Sequence, residues 1–172
     1  GVRVPGTMLI GEEGQGWSYI MNAFYAGGGL GARHAEMRLM LNEVVEYCKA
    51  TTRGGVALIK DPIVRSQLAE LELMIETERL LTYESLSNAT NGRPPRFGGA
   101  LGVVVSKEHK PLFAQIITQI VGPLAQLRQG SRWAPIDGGP EAWYRWSYAN
   151  HAGGTSQVKR MVLATRGLGL PR

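Results

Sequence analysis

From Arg33 to Ala50 the apolar residues Met37, Met40, Leu41, Val44, Val45 and Cys48 recur at helical spacing. That period lays one face of an α-helix against a core. A second helix is announced by "KDP" at 60–62. Asp61 can accept from the free amides of a first turn, and Pro62 loses nothing at the first helical position. Val64, Leu68, Leu71, Ile75 and Leu81 then make one stripe, with Glu70, Glu72, Glu76 and Glu78 mostly off it. "NGRPP" at 91–95 stops the pattern. A third helix is predicted over 111–127, with Leu112, Ile116, Ile120, Val121, Leu124 and Leu127 as its buried side. It starts at Pro111 because a proline deep inside a helix deletes a hydrogen bond and clashes with the preceding turn.

Shorter elements surround these three. Trp17 to Phe24 is an apolar stretch cut by "AGGG" at 26–29. "SRWAPIDGGP" at 131–140 reads as loop, "EAWYRWSYA" at 141–149 as a short aromatic helix, and Thr155 to Arg166 as a last helix stopped by Gly167. At the start, Val2, Val4, Leu9 and Ile10, broken by Pro5, Gly6 and Gly11, predict a short strand and turn. The expected fold is all-α, a helical bundle over 17–172 with a short N-terminal extended segment. No internal repeat is evident.

Composition narrows the function classes. With 172 residues, 44% hydrophobic and 19% charged, the chain suits one globular domain. No apolar run approaches the roughly 20 residues of a membrane span, and no signal-peptide pattern opens the chain. The lone Cys48 rules out an internal disulfide and suits a reducing compartment, so a cytoplasmic location is expected. The formal charge of +5 is scattered, without a block of like charges. That argues against nucleic acid and suits an anionic ligand. No metal site is predicted.

Four stretches, in order, carry a family resemblance: "VPGTMLIGEEGQGW" at 4–17, "TTRGG" at 51–55 with "DPIVRSQLAELE" at 61–72, "ITQIVGPLAQL" at 117–127, and "GGTSQVKRMVLATRGLGLPR" at 153–172. Together they resemble the C-terminal portion of a flavin-dependent acyl-CoA dehydrogenase. The resemblance makes residues 1–16 the end of a middle β-domain or its linker. It implies FAD as cofactor, an acyl-CoA thioester as substrate, and α,β-dehydrogenation as the reaction, within lipid metabolism.

In that family a carboxylate removes the proton next to the thioester carbonyl while a hydride passes to the flavin. Most members place a glutamate directly before the glycine of "GTS"; here Gly153 stands there. Others keep it on the first helix of this domain, at a position that falls at or next to Gly27. Neither base is present, so no catalytic residue is assigned. The backbone N–H of Gly153 could still hold the thioester oxygen.

Cofactor contacts implied by the resemblance are Arg53, Gln119, Gly122, Thr155 and Gln157. Val56 replaces an aromatic companion of the arginine, and Pro123 replaces a second glycine after Gly122. Without the resemblance a simple N-cap is the better reading of Thr155; an exposed helix position is the alternative for Gln119, and a surface salt bridge the alternative for Arg53. Glu36, Asp137, Glu141 and His151 read as solvated, capping or helix-end groups rather than substitute bases. The aromatic group Trp133, Trp143, Tyr144, Trp146 and Tyr148 reads as packing at a domain or subunit contact.

The expectation is a subunit that keeps flavin contacts and works in a hetero-oligomer with a homologous chain that holds the glutamate. Two rivals stay open. One is a helical interaction domain that binds no flavin; the other is a dehydrogenase with a relocated base.

Overall fold

The computed structural model describes residues 1–23, 33–93, 100–148 and 154–171. Six α-helices organise them: α1 (Gly16–Ala23), α2 (Arg33–Ala50), α3 (Pro62–Thr90), α4 (Ala100–Val121), α5 (Gly139–Tyr148) and α6 (Ser156–Val162). A single hairpin, β1 (Thr52–Arg53) with β2 (Val56–Ala57), joins α2 to α3. The fold is all-α, as the periodicity predicts.

Helices α2, α3 and α4 hold the core. Met37, Met40, Leu41, Val44 and Cys48 of α2 meet Val64, Leu68, Leu71, Met74 and Ile75 of α3, and Phe113, Ile116, Ile117 and Ile120 of α4. Side chains of this kind each contribute about 1.5–3 kcal/mol on full burial, so this face outweighs local preferences. The start of α3 follows the sequence reading: Asp61 Oδ1 accepts from the Ile63 amide at 2.8 Å, with Pro62 in the first turn. Helices α5 and α6 both pack on α4. Gly138 fixes how α5 arrives: at φ +77° its ideal Cβ would lie 2.3 Å from the Gln129 backbone nitrogen. Only glycine permits that crossing.

Four expectations change. Helix α4 begins at Ala100, not 111, and runs through Pro111. An internal proline costs about 3 kcal/mol, but buried residues on both sides, from Val104 to Ile120, more than offset it. The buried face of α4 shifts accordingly: Phe113, Ala114 and Ile117 are inside, whereas Leu112 and Leu124 are exposed. Glu78 is buried on α3 instead of lying off its stripe. Finally, the first residues form one 3-10 turn, Gly6–Met8, with exposed backbone around it and no strand, because nothing pairs with them among the described residues.

The last helix also differs in detail. Residues Ser156–Val162 are α-helical, and Leu163–Gly167 widen into a π-turn. No helix among the described residues is long and apolar enough to cross a membrane.

Candidate functional site

Three of the expected cofactor residues meet at the C-terminal end of α4. The β1–β2 hairpin turns on Gly54 and Gly55, both at positive φ, and this aims Arg53 at the bundle. Its Nη2 donates to the Ile120 carbonyl at 3.1 Å, one of the carbonyls a helix end leaves without an internal partner. Gly122 follows at φ 81° and ψ −155°, a conformation that favours glycine. A Cβ there would stand 3.8 Å from Arg53 Nη2, so conformation rather than space selects the residue. Gln119 is exposed, and its Oε1 accepts from Gln67 Nε2 of α3 at 3.0 Å. Arg53, Gln119 and Gly122 thus form one exposed polar corner. Its remaining N–H groups and open backbone fit an anionic, hydrogen-bonding cofactor such as FAD.

Thr155 and Gln157 stand elsewhere. Thr155 is the N-cap of α6, its Oγ1 accepting from the Val158 amide at 3.4 Å. Gln157 is exposed and accepts from Ser156 Oγ at 3.3 Å. Helix α6 is tied to the N-terminal half of α4 by the Arg160–Glu108 ion pair. From Glu108 to Ile120 is about 18 Å of helix, at 1.5 Å per residue. Arg53, Gln119 and Gly122 thus share one corner, and no hydrogen bond among the described residues joins Thr155 or Gln157 to it. Gly27, Gly153 and His151 lie outside the described residues.

The acids weighed as substitute bases are engaged or solvated. Glu141 is only 14% exposed at its side chain and holds both Arg128 and Arg145. Asp137 accepts from Gln129 Nε2 at 3.0 Å. Glu36 is exposed and lines an open cavity of about 440 Å³ with Leu39, Met40, Glu43, Ala142, Trp143 and Trp146. Among the aromatic residues, Trp143 packs on Phe113 at 5.2 Å and Trp146 meets it edge-on at 5.6 Å. Trp133 stays outside, beneath the Arg132 guanidinium.

One cluster escapes sequence reasoning. Arg33 Nη1 donates to Ser106 Oγ, beside the buried Glu78 carboxyl, which burial pushes above the ordinary carboxylate range while Arg33 and Ser106 pull it back. His109 Nδ1 stands 3.7 Å from Glu78 Oε1, and neither atom has a hydrogen-bond partner. Burial holds the His109 imidazole below its ordinary pKa. Lys107 and Lys110 are buried in the same stretch. Burial pulls Lys110 down to about 8, with Arg33 and Lys107 adding to that and Glu36 opposing it. The polar run "SKEHK" at 106–110 is visible in the sequence, but a start of α4 at 111 leaves it outside the helix.

Comparison with known proteins agrees with this architecture. A family profile described as "Acyl-CoA dehydrogenase, C-terminal domain" matches residues 14–168. The acyl-CoA dehydrogenase FadE26 of Mycobacterium tuberculosis is 29% identical over 184 residues, covering 99% of this chain and 44% of that protein. Among solved structures, the Tcur3481–Tcur3483 steroid ACAD is similar with a TM-score of 0.87 and 28% identity, over 100% of this chain and 44% of the matched one. The ChsE4–ChsE5 complex from Mycobacterium tuberculosis gives 0.82 and 28%, over 94% and 42%. This chain thus spans less than half the length of these relatives. By its helical architecture and the match across residues 14–168, the chain belongs to the acyl-CoA dehydrogenase family, whose C-terminal domain it represents.

Proposed function

We propose that this chain is part of a flavin-dependent acyl-CoA dehydrogenase that binds cofactor and thioester but takes its general base from a homologous partner subunit. The observation that carries the reading is the combination of an open polar corner with glycine at both family base positions, Gly27 and Gly153. FAD, when bound, supplies the hydride acceptor. Arg53, Gln119 and Gly122 would hold its polar groups at one corner, and Thr155 and Gln157 would meet it at the other.

The place of Thr155 and Gln157 outside that corner's hydrogen bonds favours assembly. A cofactor lying between two chains can take the Arg53 corner from one and the Thr155 helix from the other. At the substrate, the Gly153 N–H would hold the thioester oxygen, which makes the neighbouring proton more acidic without removing it. Proton removal then falls to a carboxylate on the partner. The matched structures support this organisation, since both are described as pairs of differently named chains, one of them a steroid ACAD. A thioester with a bulky steroid-like acyl group is the corresponding substrate class.

The test is co-expression of the full-length form with homologous dehydrogenase chains, followed by measurement of flavin content and 2,3-dehydrogenation. Flavin and turnover are expected in the mixed assembly and little turnover in the single-chain form. Full activity from the homo-oligomer contradicts the proposal. A colourless mixed assembly, even with FAD added, would identify an interaction domain instead.

A further inference from the structure

Glu78 and His109 face each other across the seam between α3 and α4, and the flavin and thioester contacts use neither. Glu78 Oε1 and His109 Nδ1 stand 3.7 Å apart, on side chains that are 7% and 22% exposed. Both atoms are buried and neither has a hydrogen-bond partner. Buried polar atoms in this condition cost free energy, and a single proton placed between the two would satisfy both.

The surroundings decide which group carries that proton. Arg33 Nη1 of α2 donates to Ser106 Oγ of α4, and the Ser106 hydroxyl donates in turn to Glu78. Arg33 also faces Glu78 as a charge. On the other side, His109 bonds the Met74 carbonyl of α3 and has Glu108 as its charged neighbour. Glu108 is itself held by Arg160 of α6. Lys107 and Lys110 share this stretch of α4 and have Arg33 as a charged neighbour. With one ring N–H spent on the Met74 carbonyl, a neutral imidazole keeps one lone pair, at the unpartnered Nδ1. Burial favours the neutral form of both groups, raising the carboxyl and lowering the imidazole.

We infer that Glu78 and His109 form a proton-operated clasp between α3 and α4, in which the Glu78 carboxyl takes up a solvent proton below neutral pH and donates it to His109 Nδ1. At and above neutral pH the carboxylate stays with Ser106 and Arg33, and the clasp is open. Closure is gained as pH falls through the Glu78 midpoint, which lies above 4.5, and is lost as pH rises through it. Further acidification opens the clasp again, because the imidazole then takes a proton of its own and Nδ1 no longer accepts.

The test uses the full chain with the subunits that accompany it, followed by infrared difference spectroscopy and by nitrogen NMR of labelled histidine. Between about pH 7 and pH 5, a carboxylic-acid carbonyl band should appear in the wild type and be missing from Glu78→Gln. Over the same range the His109 Nδ1 signal, identified by its loss in His109→Gln, should shift as a hydrogen-bond acceptor while the ring stays neutral. Glu78→Gln carries a permanent N–H donor, so its His109 signal should already sit at the clasped position at neutral pH. Its amides at 106–110 should then exchange several-fold more slowly than those of the wild type at the same pH. Imidazolium formation at His109 before any carboxylic-acid band appears overturns the proposal, and that result is read in the wild type. Unchanged amide exchange in Glu78→Gln overturns it as well.

Discussion

Two arginines reach α4 at opposite ends, and they do different work. Arg53 arrives from an exposed hairpin and donates to the Ile120 carbonyl. Arg33 arrives from the first turn of α2 and donates to Ser106 within a group that includes buried Glu78, Lys107 and Lys110. The first bond is part-buried but is made by an exposed side chain, which water or a ligand can reach. The second belongs to a buried charged network, where removal of one member leaves others unsatisfied. Exposure, not residue type, separates the two arginines.

Substitution of both sharpens this contrast most. Arg33→Ala is expected to cost about 3 kcal/mol, or a fall in Tm of roughly 6–12 °C, by leaving Glu78 without its cation. Arg53→Ala should change stability by no more than about 1 kcal/mol, yet weaken flavin binding at least tenfold in the assembled protein. Paired thermal melts and flavin titrations read both effects. Equal losses of stability at the two sites would break the comparison.

Glu78 and Lys110 give the next effects, and each has a definite sign with pH. Burial raises the Glu78 pKa above 4.5, so its contribution is intact below about 4.5 and is lost as pH rises through the folded-state value. Glu78→Gln should therefore stabilise the protein at pH 7, and the gain should vanish at acid pH in denaturant titrations. Lys110 shifts the other way, from 10.5 to about 8, so the folded state releases this proton first. Stability should climb as pH rises from about 8 toward 10.5, and be lost as pH falls through about 8. Arg33 and Glu36 of α2, Lys107 of α4 and Trp146 of α5 surround this group, and Lys110→Met should flatten the climb.

Gln119→Ala gives the smallest effect. It removes one exposed hydrogen bond to Gln67, so stability should move by less than about 0.5 kcal/mol. Flavin affinity should drop a few-fold, measured by fluorescence quenching.

Legibility in the sequence follows the range of the interactions. Helices α2 and α3 were readable because their buried stripes and the Asp61–Pro62 start depend on residues a few positions apart. The N-terminal half of α4 was not, because Pro111 outweighs local pattern unless the packing of Phe113 and Ile117 is known. Among the expected site residues, the family resemblance pointed to Arg53, Gln119 and Gly122, and the fold brings these together from segments 66 or more positions apart. Placement of Thr155 and Gln157 required the docking of α6 on α4. The charged cluster was invisible for a similar reason. Arg33, Glu78 and Ser106 mean nothing singly, and their chemistry begins only when three helices bury them together.

Exchange of the substrate α-proton for solvent deuterium tests the central claim most directly, since it reports proton removal without requiring turnover. With a saturated acyl-CoA in D₂O, the single-chain form should exchange that proton at the background rate. The mixed assembly should exchange it about 10²–10⁴ times faster, the range expected of a positioned general base. Exchange by the single chain at the rate of the mixed assembly would contradict the account.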